Sequence, residues 1–499
     1  MTQAKSTAGA TPLCFLPEPE FGQILQGCGI NDARLTGSDH ISVDPGGAGG
    51  TRGYSTALMK GMRCRVKNND YTIASVLYSG SGVPRYEIYF ETLLLEDTAP
   101  GDDFYIHMIP FPHQVSKWDP NEDFNRDSYG QVGSGVTDNQ SSQGGREFNG
   151  SIDGRKGRDI YRHYPNVALG SSVFAMMMLQ DGLLVDHGSY FGGDIRSDTV
   201  ARSFTVAWLI DKSTNDIRLV PGCIVRNTEE TFGEDMEAQA ELTADLGGQY
   251  ELNPTVTELA TYYNIIPTSD PYLGPSVRTH GLVDIRWRFG LGLIAPYIPG
   301  ENYIDVEFNS VLEFGDTIII SNKFGQEDER TVDSLGGDRH RVYFTGGPLT
   351  NNYEENTSWC TQKYNSRKHY PMRELSVKTM PGFMMLGDIS EAVDYKTQVV
   401  ANKMLIEIDA SFRRATNLLW RLQRANQTRI KTYVEVWEYE SSYDKSNYAN
   451  MYREFPMTIV SPVREPMDNE KGEISDEISL KLSGTPTLQL LTDFLPSTP

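Results

Sequence analysis

Residues 473–482 read Glu-Ile-Ser-Asp-Glu-Ile-Ser-Leu-Lys-Leu, and this stretch indicates the fold class most directly. From Ile478 to Leu482, apolar and polar residues alternate strictly. Alternation with a period of two is typical of a strand that buries one face and exposes the other. We therefore predict a half-buried β-strand here.

The same signal recurs along the chain. Other runs are rich in β-branched and aromatic residues, and Gly, Asn, Asp and Pro separate them at turn positions. These runs are Tyr86–Leu95, Ser203–Ile210, Thr317–Ile320, Lys403–Ile408 and Thr432–Glu440. The sequence therefore predicts a mainly β protein.

The clearest helical pattern spans Phe412–Gln427, where four apolar residues recur with the spacing of one helix face. The rest of its surface is basic in an otherwise acidic chain, with Arg413, Arg414, Arg421 and Arg424. These arginines are either a solvated face with local ion pairs or inter-subunit residues that meet acidic neighbours in a ring. Two shorter helices are predicted near Pro19–Gln26 and Thr255–Tyr263.

Residues 118–157 differ in composition from the predicted strands. They contain many Gly, Ser, Asn and Asp residues and few aliphatic ones. We interpret them as a long surface loop or extension, which contacts a neighbouring subunit or is a disordered insertion.

Two segments share one pattern of strand, loop, strand, turn and strand. The first runs from Phe204–Trp208 through Pro221–Val225 to Met236–Leu242, and ends at Gly247-Gly248. The second runs from Tyr433–Trp437 through Phe455–Val460 to Ile474–Leu482, and ends at Gly484. This pattern is either a coincidence or the mark of one β domain present twice. Between the two lies a short predicted meander, Leu312–Leu349, with Gly-Asp and Gly-Gly turns.

Composition narrows the class of protein. The chain has 499 residues and a formal net charge of −22, which argues against sequence-specific nucleic-acid binding. The sequence has no apolar run long enough for a transmembrane helix, and Met1–Gly9 lacks the apolar core of a signal peptide. Its five cysteines form no CxxC pair, so we expect free thiols and folding in a cytoplasm.

The chain resembles the tail tube (major tail) proteins of long-tailed bacteriophages. The resemblance lies in Ser203–Trp208 with Gly222–Val225, in Phe314–Ile320 with Arg330–Val332, and in the C-terminal order of strand, helix and three strands. It implies two tube-type β-sandwich or barrel domains, each with a flanking helix, and a small inserted β-barrel module. The chain is longer than many tube proteins, and a second tube domain would account for this.

These expectations divide the chain into an arm and three parts. They are an N-terminal arm (1–55), a first tube-like domain (56–275) with its extension at 118–157, an inserted module (300–350) and a second tube-like domain (351–499, with 276–299). The resemblance implies a structural virion protein that self-assembles into stacked rings, and strands of neighbouring subunits would pair to hide sheet edges. We expect trimeric rings with pseudo-sixfold symmetry, or hexameric rings, assembled in the host cytoplasm. The other partners would be tail proteins and genomic DNA that passes without sequence-specific binding, with no membrane.

The motif search yields no catalytic or cofactor set. The chain lacks GxxxxGK[ST], GxSxG and HExxH, so we predict no enzyme activity, no cofactor and no metal. Asp119–Asp127 places oxygens as a calcium loop begins, but it lacks the glycine and closing glutamate of that loop. Two alternatives stay open: a tail hub or distal tail (baseplate) protein with the same domains, and a carbohydrate-binding or glycan-cleaving β protein.

Overall fold

A computed structural model describes most of the chain. The residues it describes are 13–18, 21–43, 58, 62–79, 85–111, 113–129, 140–156, 203–211, 216–234, 240–267, 282–307, 309, 312–322, 326–355, 358–362, 372–380, 383–387, 396–401, 405–413, 431–439, 449–459, 467–468, 473–482 and 487–490.

The protein is mainly β, and its sheets curl as half-barrels. The strands up to residue 248 are β1 (Leu13–Pro17), β2 (Cys28–Gly29), β3 (His40–Val43), β4 (Arg63–Val66), β5 (Asn69–Ser79), β6 (Arg85–Phe90), β7 (Asp103–His107), β8 (Ile109–Pro110), β9 (His113–Tyr129), β10 (Gln140–Lys156), β11 (Phe204–Asp211), β12 (Asp216–Gly233) and β13 (Glu241–Gly248). The chain then forms helix α1 (Val256–Tyr263), followed by β14 (Ile265–Ile266), β15 (Val283–Gly292), β16 (Tyr303–Asp305), β17 (Thr317–Asn322), β18 (Glu327–Leu335), β19 (Arg341–Thr345) and β20 (Ser358–Gln362). The remaining strands are β21 (Met372–Met380), β22 (Phe383–Leu386), β23 (Gln398–Ala401), β24 (Leu405–Arg413), β25 (Lys431–Tyr439), β26 (Ala449–Ile459), β27 (Met467–Asp468), β28 (Glu473–Leu482) and β29 (Thr487–Leu490).

The N-terminal half is an antiparallel ladder in the order β8-β1-β11-β12-β13-β10-β9. The strands β2–β7 lie between β1 and β8 in the chain and belong to a separate sheet, in which β14 pairs with β7. Helix α1 lies between β13 and β14 in the chain, so it connects the ladder to the smaller sheet.

The C-terminal half repeats this order of pairing. Its ladder runs β20-β15-β25-β26-β28-β24-β21, again antiparallel throughout. The strands β16–β19 lie between β15 and β20 in the chain, so both halves carry extra strands at the same place in the order. The segments after the third strand also agree, because Leu252 bridges to Leu219 of β12 and Leu488 pairs with Arg453 of β26.

The two halves join through one ladder. Thr228–Gly233 of β12 pair antiparallel with Glu374–Thr379 of β21, while the opposite edge of β12 pairs with β13. The ladders of both halves are thereby continuous from β9 to β28.

The main apolar core cluster of the described residues extends through both halves, and a small second cluster contains Ile224, Met385 and Val399. Strands contribute every second side chain to this core. In β17, for example, Ile318, Ile320 and Asn322 are buried and the residues between them are half-buried. Aromatic side chains pack edge to face at its N-terminal end, where Phe15 lies 5.0 Å from Phe111, centroid to centroid, and Trp118 lies 5.3 Å from Trp208.

Most strand predictions are confirmed. β28 has the predicted bounds 473–482, and a strand overlaps each of the other predicted runs. The helix predicted at Thr255–Tyr263 is confirmed, since Thr255 is the N-cap of α1 and forms a capping box with Glu258. The meander is confirmed as β17-β18-β19, but it continues through β20 into the sheet that contains β15.

Three predictions were wrong where the structure describes them. Residues 118–156 contain most of the β9–β10 hairpin rather than a loop, because the ladder with β13 supplies order that their composition does not suggest. Residues 21–26 form a turn and irregular chain, not a helix, and Gly22 there has φ 75°. The basic helix does not begin at Phe412, since β24 continues to Arg413. In the first pattern the third strand is β13, which begins at Glu241, and residues 236–239 of the predicted segment lie outside the described residues.

Candidate assembly surface

One face of the joined ladder is polar in both halves. In an antiparallel pair, residues directly opposite each other project from the same face of the sheet. Asp119 is opposite Ser151, which is opposite Asp245, and in the C-terminal half Lys378 is opposite Glu407, which is opposite Lys481. We call this surface, from β9 to β28, the polar face.

The polar face is acidic. The paired positions on this face include nine carboxylates and four cations. The carboxylates are Asp119, Asp153, Glu229, Glu241, Asp245, Glu374, Glu407, Asp409 and Glu477, and the cations are Lys117, Arg155, Lys378 and Lys481. The opposite face is apolar and buried, with Leu246, Val377 and Ile408 among its members.

The C-terminal part of the polar face contains a depression of about 390 Å³ over β21, β24 and β28. Glu374, Asp409 and Glu477 are its acidic lining residues. The hydroxyl of Ser479 donates to Asp409 Oδ1 at 2.5 Å. Such contacts between residues distant in sequence follow from strand register.

A lysine lies where the polar face passes from one half to the other. Lys378 Nζ is 3.4 Å from Asp409 Oδ2 and 3.6 Å from Glu229 Oε1. Burial acts to lower the pKa of Lys378, but the charges and hydrogen bonds of Glu229 and Asp409 outweigh it and raise that pKa. Lys378 therefore stays charged and links a carboxylate of each half.

A buried ion pair lies beneath the junction of the two halves. Lys156 Nζ is 2.7 Å from Glu230 Oε1, and the two side chains are 1% and 2% exposed. Glu230 belongs to the four-residue segment Thr228–Thr231 of β12, which pairs with β13 along one edge and with β21 along the other. A buried charge is costly unless it is paired, so this contact favours the observed position of β12.

A second buried carboxylate fixes the end of β1. Glu18 Oε1 accepts hydrogen bonds from Thr205 Oγ1 at 2.7 Å and from the Gly222 amide at 2.8 Å. Its Oε2 accepts from the Gly22 amide at 2.8 Å and from the hydroxyl of Ser203. Burial raises the pKa of Glu18 to about 7 although all four hydrogen bonds act to lower it. Glu18 therefore connects the N-terminal strand to β11 and to the chain at Gly222.

Among the described residues, β9 is an edge strand of the N-terminal ladder. Within that part of the chain, it forms a ladder with β10 and with no other strand. Pro120 lies in β9, as is common for edge strands because proline has no amide hydrogen to donate. The indole Nε1 of Trp118 is buried without a hydrogen-bond partner.

Of the four arginines singled out from the sequence, the structure describes only Arg413. Arg413 is the last residue of β24, opposite Ser475, whereas Arg414, Arg421 and Arg424 lie outside the described residues. Asp119–Asp127, with the calcium-like spacing, lies in the extended strand β9. Within the described part of the chain, no group of three or more His, Cys, Asp or Glu side chains is placed to hold a metal ion.

Sequence reasoning missed the polar face, the Lys156–Glu230 pair and Glu18. The one sequence signal for the polar face was the alternation of charged residues along single strands. No helix in the described ranges is both long and apolar enough to cross a membrane. No protein-family model matches the chain, and no curated protein matches it either.

Proposed function

We propose that this protein is a structural subunit that self-assembles into the stacked rings of a bacteriophage tail tube. The observation that carries the proposal is the polar face, an acid-rich surface that continues across two halves with the same strand order. Such a surface suits the wall of a channel, because its carboxylates repel the phosphates of passing DNA and discourage binding.

The repeated order supports the finer part of the proposal. It favours two tube-type domains in one chain, with β2–β7 and β16–β19 as the inserted strands. A ring of three chains would then contain six similar sectors, which gives the proposed pseudo-sixfold symmetry. The partners are other copies of the chain, other tail proteins and DNA in transit, and the location is the tail of the virion. Arg413, Arg414, Arg421 and Arg424 remain proposed inter-subunit residues.

Negative-stain microscopy of the purified protein tests this function. Long hollow tubes with threefold or sixfold rings are expected. Discrete rings that never stack would favour a tail hub or distal tail protein. Monomers that bind or cleave a polysaccharide would refute the proposal.

The channel wall can be tested by charge reversal. Glu374→Lys with Glu477→Lys places two cations on the polar face, and we expect tubes of this variant to retain DNA in a salt-dependent manner. The matched control is Glu327→Lys with Asp333→Lys, two exposed positions on β18. Equal DNA retention by both variants would show that the polar face does not line the channel.

A further inference from the structure

A hairpin of the C-terminal half lies against the N-terminal half. Among the described residues, its strands β22 and β23 pair only with each other. Met385 and Val399, which lie opposite each other in this hairpin, pack on Ile224 of β12, and Phe21 packs against the same small cluster. A contact with so few apolar side chains is expected to open independently of the ladder.

A buried glutamine joins this hairpin to the N-terminal half. The side chain of Gln249 is 4% exposed, and its Nε2 donates to the carbonyl oxygen of Lys396, shortly before β23, at 2.8 Å. The side chain lies between two glycines with left-handed backbone, Gly22 at φ 75° and Gly222 at φ 65°. A Cβ at either glycine would overlap the Gln249 side chain, so the gap that holds it requires glycine on both sides.

The same two glycines bind Glu18. Their amides donate to opposite oxygens of the Glu18 carboxyl, at 2.8 Å each. The other two donors are the hydroxyls of Ser203 and Thr205. A displacement of the carboxyl therefore displaces both glycines, and with them the gap that holds Gln249.

We propose that Glu18 and Gln249 form a latch, which holds the β22–β23 hairpin against the N-terminal half while the Glu18 carboxyl is protonated and opens when that proton is lost. A hydroxyl can turn to accept the proton of a neutral carboxyl, as Ser203 Oγ is placed to do. None of the described partners of Glu18 carries a positive charge, so a buried carboxylate here is costly. Movement of the Gly22 turn lets water reach the carboxylate and also opens the gap around Gln249.

The groups around Glu18 support this direction. Burial raises the pKa of Glu18 from 4.5 to about 7, although its four hydrogen bonds act to lower it. The titratable neighbour is the Cys223 thiol, whose pKa is raised by burial and by the charge of Glu18, so it stays neutral. From the hairpin, Lys396 contributes its carbonyl oxygen, while its Cδ lies near Gly387. The preference for the docked hairpin is therefore complete below pH 4.5 and is lost as the pH rises through about 7.

Opening of the latch would move two apolar side chains. On the outward face of the docked hairpin, Met384 and Leu386 are 49% and 39% exposed. They flank Met385, which is buried against the N-terminal half. The latch therefore determines where the chain presents this apolar pair, and the inference does not depend on the proposed tail-tube function.

Hydrogen exchange of the full-length protein as a function of pH tests the latch. The amides of Met384–Leu386 and Gln398–Ala401 report opening of the hairpin once the rates are corrected for intrinsic exchange. Opening returns Glu18 to its ordinary pKa of 4.5, so the opening equilibrium should rise by about 70-fold from about pH 5 to about pH 8. The rise should level off above pH 7.

Two variants separate the titrating group from the link. Glu18→Gln cannot ionise, so hairpin opening should not vary with pH. Gln249→Met removes the amide donor and should speed hairpin exchange already at the lowest pH, while β1 and β11 keep the pH dependence of the wild-type protein. The matched control is Asn309→Leu, which removes another buried amide, one that donates to main-chain carbonyls near β19, and should leave hairpin exchange unchanged.

Three results would overturn the latch. They are hairpin exchange that does not vary with pH, a pH dependence that persists in Glu18→Gln, and unchanged hairpin exchange in Gln249→Met. A rise in Gln249→Met that extends equally to β24 and β28 also counts against it, because the loss is then global. Where Glu18→Gln does not fold, the wild-type pH profile and Gln249→Met decide the question.

Discussion

Replacement of Lys156 by methionine tests whether the buried ion pair holds the junction together. The substitution keeps the length of the side chain but leaves the carboxylate of Glu230 buried at 2% exposure without its lysine at 2.7 Å. Removal of one partner from a buried pair costs about 3–5 kcal/mol. Glu230 lies in the segment of β12 that pairs with β21. We therefore expect the substitution to lower the free energy needed to separate these two strands by this amount.

Native-state hydrogen exchange measures that opening locally. A loss of this size should speed exchange by about two to four orders of magnitude, since each 1.36 kcal/mol is a factor of ten. The affected amides should be those of β12 and of Glu374–Thr379. Amides of β16–β19, far along the ladder, should exchange at the rate of the unmodified protein.

Lys378→Met is the matched control. Lys378 also bridges carboxylates of both halves, but its side chain is 37% exposed and its contacts are 3.4 Å and 3.6 Å. Pairs that contact water contribute about 1 kcal/mol or less, so exchange should change by less than about tenfold.

A double replacement separates pairing from packing. Lys156→Met with Glu230→Leu removes both charges and should recover most of the loss, because apolar replacement of a whole buried pair is often neutral or stabilising. Equal effects of Lys156→Met and Lys378→Met, or a double variant no better than the single one, would refute the reasoning.

Four further outcomes are expected. Burial raises the pKa of Glu18 from its ordinary value of 4.5 to about 7, so its contribution is complete below the lower value and is lost as pH rises through the higher one. Relative to Glu18→Gln, the wild-type protein should therefore lose about 3 kcal/mol of stability from pH 4.5 to above pH 7, measured by thermal unfolding; parallel curves would contradict this. Asp328 accepts hydrogen bonds from the Tyr353 hydroxyl at 2.9 Å and from the Thr350 amide and hydroxyl, so Asp328→Asn should raise hydrogen exchange in β18 by the equivalent of about 2 kcal/mol or more. Thr255→Ala removes the N-cap of α1 and should cost about 1 kcal/mol, seen as faster exchange in that helix alone. Arg413→Glu with Arg421→Glu should leave the monomer folded by circular dichroism and block assembly; normal tubes would remove the proposed role of these arginines.

The sequence predicted strands best where alternation was strong and local. β28 shows this, since Ile478 and Leu480 are buried between exposed or half-buried neighbours. Alternation failed to identify β9 and β10, where Gly, Ser and Asn dilute it. Even there, Phe148 and Ile152 are buried four residues apart, with Gly150 between them on the same face. Gly150 leaves room for the ring of Trp118, whose nearest atom lies 2.5 Å from where a Cβ would be.

The polar face could not be predicted from one sequence, because it depends on which strands pair and in which register. Asp409 and Ser479 are 70 residues apart, and their hydrogen bond exists because β24 and β28 pair in one register. A shift of one residue would turn Asp409 to the buried face. Each strand alone has the number of charged residues expected for a solvent-exposed face. These charges lie on one surface only because the strands pair in this order. Glu18 was hidden for the same reason, since its donors lie on three separate segments.

The two halves agree in strand order, and the N-terminal half supplies the buried cation beneath the junction that joins them. Lys156 is the last residue of β10, and Phe412 lies near the end of β24, the strand with the same place in the C-terminal ladder. Both side chains are buried, yet one needs a carboxylate such as Glu230 and the other needs only apolar contacts. A strand that brings Glu230 to the wrong half would lose its cation and bury a charge. The Lys156–Glu230 pair therefore favours the observed pairing of β12 with β21 over any pairing that separates Glu230 from Lys156.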